Sequence, residues 1–190
     1  MSKAARRNSD YPSDIFASGD YGAAFPVCLR AAENGEFDSA LLVGWMYLTG
    51  NGVEENINDA INWLRRATDG GDPLAVFYLG KAYETSGDAR NAVSCYEQAA
   101  AQNFSPACYR LGELYVAGQG VTRNVARAYA LYERAMGGGH LFGKAKIASF
   151  LLRGHKGVAG RIKGMLMMPS IITAVCIELV TNPDSEKFMT

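Results

Sequence analysis

The sequence predicts an all-α fold in which antiparallel helix pairs stack on one another, and a repeated pattern is the main reason. An aliphatic residue followed by glycine recurs at Gly44, Gly80 and Gly112, with a degenerate copy at Ala148, so the intervals are 36, 32 and 36 residues. A second stretch with helical spacing follows each copy. Two helical stretches within a period of this length are typical of arrays of helix pairs.

The first helix of each pair is predicted by a single stripe of side chains. A small residue stands five positions before the glycine, and a tyrosine stands three positions after it in the first three copies. This spacing places all of these residues on one helix face. The small residues are Ser39, Ala75, Ala107 and Gly143, and the last position holds Tyr47, Tyr83, Tyr115 and, in the fourth copy, Leu151.

The second helix of each pair is predicted by alanines with two larger residues between them, again on one face. The four copies are Ala24, Val27, Cys28 and Ala31; Ala60, Trp63, Leu64 and Ala67; Ala92, Cys95, Tyr96 and Ala99; and Ala128, Leu131, Tyr132 and Ala135. Trp63 therefore occupies a packed position, and a core role is favoured for it over a stacking site.

Residues that can start and stop a helix flank every copy of the second pattern. Four positions before its first alanine stand Asp20, Asn56, Asp88 and Asn124, which can accept a hydrogen bond at a helix N-terminus. Four positions after its last alanine stand Gly35, Gly71, Asn103 and Gly139, which tolerate the left-handed conformation that ends helices.

Glycine-rich connectors join the two helices of the first and third pairs. They read Gly50-Asn51-Gly52-Val53 and Gly118-Gln119-Gly120-Val121, and the second pair lacks one. A phosphate loop would add a Lys-Ser/Thr pair, which is missing here, so tight turns are the favoured interpretation. A nucleotide or sugar-phosphate binder that uses Gly118 to Val121 is a further hypothesis, and it predicts thermal stabilisation by such ligands.

The complete pattern resembles the Sel-one-like repeat family, a relative of the tetratricopeptide repeats. It runs Ala-x-x-x-Leu-Gly-x-x-Tyr, then Gly-x-Gly-Val, an Asp or Asn cap, Ala-x-x-Trp/Leu-Leu/Tyr-x-x-Ala and a closing Gly. The resemblance covers about residues 39–152, with a half repeat at 20–35. It implies a right-handed superhelix of helix pairs whose concave groove is lined by the first helices. It also implies a scaffold for protein–protein interaction, often bacterial.

These patterns divide the chain into a repeat array at 11–164 and flanking segments. The array comprises a half repeat 11–38, repeats 39–74, 75–106 and 107–142, and a degenerate repeat 143–164. A flexible tail 1–10 precedes it, and a capping helix 165–182 and a tail 183–190 follow.

A protein or peptide partner is expected on the first helices, at offsets of 2, 6 and 9 from the small residue, beside the glycine–tyrosine stripe. The partner-binding positions are Leu41, Trp45, Leu48, Phe77, Lys81, Glu84, Tyr109, Glu113 and Val116, followed in the fourth copy by Ala145, Ser149 and Leu152. Trp45 is the leading candidate, because aromatic side chains are frequent hot spots in concave surfaces. The alternative is that N-terminal residues or a twofold mate cover Trp45.

Composition favours a cytoplasmic protein with neither a cofactor nor a metal. Of the 190 residues 48% are hydrophobic, and 19 basic residues balance 19 acidic ones, so no electrostatic footprint for nucleic acid exists. The first fourteen residues lack the apolar run of a secretory signal. Cys28, Cys95, Cys108 and Cys176 form no Cys-x-x-Cys pair and are interpreted as reduced and mostly buried.

No catalytic constellation is visible, so the chain is not expected to be an enzyme. His140 and His155 are the only histidines, and both lie beside glycines without a nucleophile or carboxylate at a catalytic spacing.

The apolar segment 165–180 has three possible roles. It is shorter than the roughly 20 residues that span a bilayer, and Pro169 interrupts it. A capping helix that starts near Pro169 is favoured, because a repeat array must cover its last exposed face. A homodimer interface is one alternative. The other is a membrane contact, which would make the protein a membrane-associated accessory protein acting through this helix.

Overall fold

The computed structural model describes residues 19–153 and 157–181, with backbone only at 158 and 174–181. Its helices are α1 Tyr21–Glu33, α2 Phe37–Thr49, α3 Ile57–Thr68, α4 Pro73–Thr85, α5 Ala89–Ala101, α6 Ser105–Ala117, α7 Val125–Gly137, α8 Leu141–Leu152 and α9 Gly157–Thr181. No β-strand occurs within these ranges. The all-α prediction is therefore confirmed, whereas the predicted tails 1–10 and 183–190 lie outside the described residues.

The helices form stacked pairs within two compact units. The first unit ends at Ala99 and the second begins at Ala100. In the first unit α2 packs on α3 and α3 on α4, and in the second α6 packs on α7, α7 on α8 and α8 on α9. The small residue of one pair contacts the helix before it, since a Cβ at Gly143 would lie 2.8 Å from the Cβ of Ala135.

The repeated glycine lets a large side chain of the second helix pack directly on the backbone of the first. A Cβ at Gly44 would lie 2.6 Å from Leu64 Cγ, one at Gly80 2.7 Å from Tyr96 Cε1, and one at Gly112 2.6 Å from Tyr132 Cε1. Leu64 and Tyr96 are completely buried, and Tyr132 is almost so. Close approach of the two helices is therefore the reason for glycine at these positions.

The predicted caps and stops are confirmed. Asp20, Asn56 and Asn124 each accept a hydrogen bond from a backbone N–H in the first turn of the helix that follows, and Asp88 Oδ1 accepts one from the N–H of Asn91 at 3.1 Å. At the other end of these helices, φ is positive at Gly35, Gly71, Asn103 and Gly139.

Connectors of different length close with the same backbone hydrogen bond. The N–H of the capping residue donates to the carbonyl of the stripe tyrosine: Asn56 to Tyr47 at 3.0 Å, Asp88 to Tyr83 at 2.9 Å and Asn124 to Tyr115 at 2.9 Å. The short second connector thus reaches the same closure as the glycine-rich ones.

The C-terminal helix differs from the prediction. It begins at Gly157 rather than near Pro169, and Pro169 lies inside it. Its buried residues Gly160, Gly164 and Ile171 pack toward α8. The first part of α9 is therefore the second helix of the fourth pair. The helix continues because Ile171 occupies the position that holds Gly or Asn in the other pairs, where a left-handed residue would end it.

The fourth pair places its glycine on the opposite helix. Ala148 replaces the glycine of the first helix and is completely buried. A Cβ at Gly164 of α9 would lie 3.1 Å from the carbonyl oxygen of Ala148. The close approach of the two helices is thus retained, and the connector residues 154–156 lie outside the described residues.

Candidate interaction surfaces

The predicted partner-binding residues of the first unit form a half-buried surface on α2 and α4, which contact each other. On α2, Leu41, Trp45 and Leu48 are each half-buried, and the first two pack against the core of this unit. On α4, Phe77, Lys81 and Glu84 are half-buried as well. The six side chains thus keep area that a partner could cover.

Trp45 connects three helices at this surface. Its ring centroid lies 5.5 Å from that of Tyr21 on α1, and its indole N–H donates a hydrogen bond to the hydroxyl of Tyr78 on α4. Burial raises the pKa of Tyr78, and the Trp45 hydrogen bond opposes that effect. Tyr21 therefore covers part of Trp45, yet the indole remains half-exposed.

The α4 residues contact the tyrosines behind them. The ring of Phe77 lies 5.6 Å from Tyr96, and the Lys81 ammonium lies 6.0 Å from the centre of the Tyr78 ring. Glu84 Oε2 accepts a hydrogen bond from the Tyr96 hydroxyl at 2.8 Å. These contacts orient the side chains, so little additional order is lost when a partner binds.

In the second unit, Glu113 of α6 lies between a hydroxyl and an ammonium group. Its carboxylate accepts a hydrogen bond from the hydroxyl of Tyr132. It also forms an ion pair with Lys146 of α8, whose Nζ lies 3.0 Å from Oε2. Burial and the Glu113 carboxylate both raise the pKa of Tyr132. Glu113 of α6 therefore links three helices through its contacts with α7 and α8.

Tyr109 lies beside this group within an aromatic cluster. Its ring stacks on His140 at 4.8 Å with an interplanar angle of 24°, and the ring of Phe142 lies 6.1 Å away. Val116, the third predicted residue of α6, is exposed. The second unit thus presents Tyr109 beside a carboxylate–ammonium pair.

Sequence reasoning missed one contributing position, three residues after the small residue of each first helix. It holds Leu42, Tyr78, Arg110 and Lys146. Tyr78 contacts Trp45 in the first unit and Lys146 contacts Glu113 in the second, so in each unit this position lies beside a predicted partner-binding residue. Around the helix this position is the neighbour of offset 6, so a predicted set that included the neighbouring positions would have contained it.

The glycine connector of the third pair offers no free amides to an anion at its start. The N–H groups of Gly118 and Gln119 both donate to the carbonyl of Leu114, at 2.8 and 3.2 Å. Two of the four amides that the nucleotide hypothesis would use are therefore already engaged within the chain.

Trp63 and the cysteines serve packing. Trp63 is half-buried against the core of the first unit, with the Arg66 guanidinium 4.6 Å from its ring centre. Cys28, Cys95 and Cys108 are buried and free of disulfides, whereas the side chain of Cys176 lies outside the described residues. In the part of the chain that the structure describes, no group of His, Cys, Asp and Glu side chains could hold a metal ion.

Among the described helices, none is both long enough and apolar enough to cross a bilayer.

Comparison with known proteins identifies related sequences and folds. The family described as Sel1 repeat matches residues 38–72, 73–104 and 105–140, which is more than half of the chain. Chitin synthase regulatory factor 1 of Schizosaccharomyces pombe is 31% identical over 120 residues, which cover 60% of this chain. The match covers only 26% of that relative, so the chain corresponds to about a quarter of its length.

Two solved structures share the fold. A Sel1 repeat protein from Oxalobacter formigenes superposes with a TM-score of 0.72 at 24% identity, over 87% of this chain and 74% of that protein. The MamA structure superposes with a TM-score of 0.65 at 18% identity, over 87% of this chain and 96% of MamA. These likenesses establish the architecture of stacked helix pairs.

Proposed function

Because the chain belongs to the Sel1 repeat family, we propose that it is a non-enzymatic scaffold that binds a segment of another protein on the exposed faces of its first helices. Repeat arrays expose continuous surfaces of this kind and commonly use them to bind partners. The S. pombe relative is named a regulatory factor, which agrees with a role in controlling another protein.

The observation that carries the proposal is the half-buried surface of α2 and α4. Its members include Trp45 and Phe77, yet neither belongs to the fully buried core. Aromatic side chains that are oriented by neighbours and still accessible are typical hot spots. A cytoplasmic location is part of the proposal, because the three described cysteines are buried and unpaired by disulfides.

The experiment selects peptides on the full-length protein from a displayed random library and then measures their affinity for variants. Trp45→Ala combined with Tyr109→Ala should weaken the selected peptides by about 2 kcal/mol, which corresponds to roughly thirtyfold. Trp63→Ala combined with Tyr129→Ala is the matched control, since both are half-buried aromatic residues on second helices, α3 and α7.

Thermal unfolding of each variant shows whether the protein remains folded at the assay temperature. Equal peptide affinity for the wild type and the double variant would contradict the proposal. So would an equal loss of affinity in the control variant on the second helices.

A further inference from the structure

The outward face of α9 is apolar where the second helices α3, α5 and α7 are mostly polar. Ile162, Met165, Leu166 and Ile172 are 55%, 65%, 76% and 56% exposed, and we call them the outer stripe. Together with Met168 they account for five of the eight large exposed hydrophobic side chains in the described residues.

The buried residues of each second helix give the register for this comparison. Gly160 and Gly164 of α9 correspond to Ala60 and Leu64 of α3, and likewise to the Ala and Tyr pairs of α5 and α7. In that register the positions of Ile162, Met165 and Leu166 hold Asn62, Arg65 and Arg66 in α3, Ser94, Glu97 and Gln98 in α5, and Ala130, Glu133 and Arg134 in α7. All nine of those residues are exposed.

The stripe therefore lies on the face that points away from α8. The buried side of α9, which includes Gly164 and Ile171, lies on the other face of the helix, so packing within the fourth pair does not account for the outer stripe. An exposed contiguous apolar stripe costs solubility and marks an interaction site.

Charge indicates the chemistry of the partner. No acidic residue occurs between Glu133 and Glu178, whereas seven Lys and Arg residues do, in a chain whose total charge is zero. Arg161 and Lys163 are exposed on the two flanks of the outer stripe. A partner with acidic residues beside an apolar face would complement both features.

Two other occupants fit less well. A second copy would bring its own positive α8–α9 region against this one, which opposes association. A membrane interface is usually engaged through Trp, Tyr or Phe, and none occurs between Phe150 and Phe188. Methionines are instead concentrated at Met165, Met167 and Met168, and such flexible side chains are common where partner helices dock.

We propose that the outer stripe of α9 is a second docking surface, separate from the first helices, and that its occupant is an amphipathic helix of a partner protein with acidic residues flanking its apolar face. Recognition of an amphipathic helix by another protein uses an apolar stripe of this kind, and the flanking charges determine which partner binds.

The test uses the full-length protein and two labelled synthetic helical peptides. Both carry one leucine stripe, flanked by glutamates in the first peptide and by lysines in the second. Fluorescence anisotropy should show binding of the glutamate peptide and about tenfold weaker binding of the lysine peptide, a difference that shrinks in 1 M salt as the Debye length falls to about 3 Å.

The decisive variant transfers the α3 residues to α9, as Ile162→Asn, Met165→Arg and Leu166→Arg. It removes the apolar stripe while adding positive charge, so simple charge attraction predicts tighter binding of the glutamate peptide. We expect about tenfold weaker binding instead. The matched control places the same residues on α5, as Ser94→Asn, Glu97→Arg and Gln98→Arg, and should keep the affinity.

Several results would overturn the inference. They are failure of the glutamate peptide to bind, equal or tighter binding by the α9 variant, and equal binding of the lysine peptide. Stripe-dependent dimers in sedimentation would assign the surface to a second copy. Stripe-dependent co-sedimentation with phosphatidylserine vesicles would assign it to a membrane. Trp45→Ala should leave this binding unchanged, so the two proposed surfaces succeed or fail separately.

Discussion

At the scale of single residues, the glycine of each first helix sets how close the two helices can come. Gly112 is a tightly constrained example, because the ring that covers it belongs to Tyr132, whose hydroxyl is held by Glu113. The ring is fixed at both ends and has little freedom to move away from an added methyl group.

We therefore expect Gly112→Ala to destabilise the protein by about 1 to 3 kcal/mol through overpacking. Urea denaturation followed by circular dichroism measures the change in the free energy of unfolding. Gly137→Ala is the control, because its Cβ would meet nothing within 4 Å. The control should change stability by between zero and a gain of about 1 kcal/mol. Equal losses for the two variants would refute the close-approach explanation.

His140 makes the start of α8 sensitive to pH. Its Nδ1 accepts the N–H of Gly143 at 3.2 Å, its ring stacks on Tyr109, and burial lowers its pKa. A protonated ring would lose this acceptor and place a positive charge at a helix N-terminus. The unfolded state therefore binds more protons below the ordinary histidine pKa of about 6.5.

The stabilisation is complete above about pH 6.5 and is lost as the pH falls from there toward the lowered pKa of the folded state. The melting temperature of the wild type should thus fall more between about pH 7.5 and 5.5 than that of His140→Asn, which keeps a capping acceptor that does not titrate. Parallel pH profiles for the two proteins would show that His140 does not contribute.

At the scale of elements, the connector between paired helices is defined by its two ends. The capping N–H reaches the tyrosine carbonyl whether the connector is short, as after Tyr83, or long, as after Tyr115. The residues inside the connector should then contribute less to stability than this hydrogen bond does.

Replacing residues 116–123 by Glu-Thr-Ser-Gly, the segment that follows Tyr83, should keep the third pair folded. The expected change in unfolding free energy is below about 1 kcal/mol, because loop-closure entropy varies slowly with length. Asn124→Pro in the full-length connector is the comparison, since it deletes the closing N–H and the cap and should cost more. Circular dichroism melting measures both. A larger loss for the shortened connector would show that its interior carries the stability.

The helices, caps and stops could be predicted from the sequence because each depends on residue types at fixed local offsets. Asn103, with φ at 61°, adopts the left-handed conformation predicted for the helix stop although it is not a glycine. The start of α9 was predicted wrongly because proline favours the first turn of a helix, whereas here Ile171 replaces the helix stop and the second helix of the fourth pair continues through Pro169. The surface residues stay predictions. The contacts of Glu113 with Tyr132 and Lys146 join residues 19 and 33 positions apart, which no local pattern encodes.

At the scale of the whole molecule, the reaction rates of buried thiols measure local unfolding. Cys28, Cys95 and Cys108 lie in α1, α5 and α6, and burial raises the pKa of each thiol, in Cys95 to about 11. Both low thiolate content and lack of access protect them.

In a Cys176→Ser variant, native protein at about pH 8 should therefore react with an alkylating reagent only as fast as local unfolding exposes each thiol. Mass spectrometry of the labelled peptides over time measures the three rates, and urea-unfolded protein serves as the control for full reactivity. Rates in native protein that match those of the unfolded chain would contradict the buried assignment.

In the fourth pair the glycine lies on the second helix, as Gly164, and the first helix has Ala148 instead. This arrangement affects which recombined repeats can fold. Tandem repeats grow and shrink by unequal crossing-over, which joins the first half of one copy to the second half of another. A crossover that combined the α8 half with the α7 half would oppose the methyl group of Ala148 to a ring such as that of Tyr132, where every other first helix has glycine. The reciprocal product would pair two glycines and leave a void. A crossover inside the fourth pair therefore yields mismatched helices, whereas a crossover inside any of the first three pairs joins a glycine to a large side chain as before.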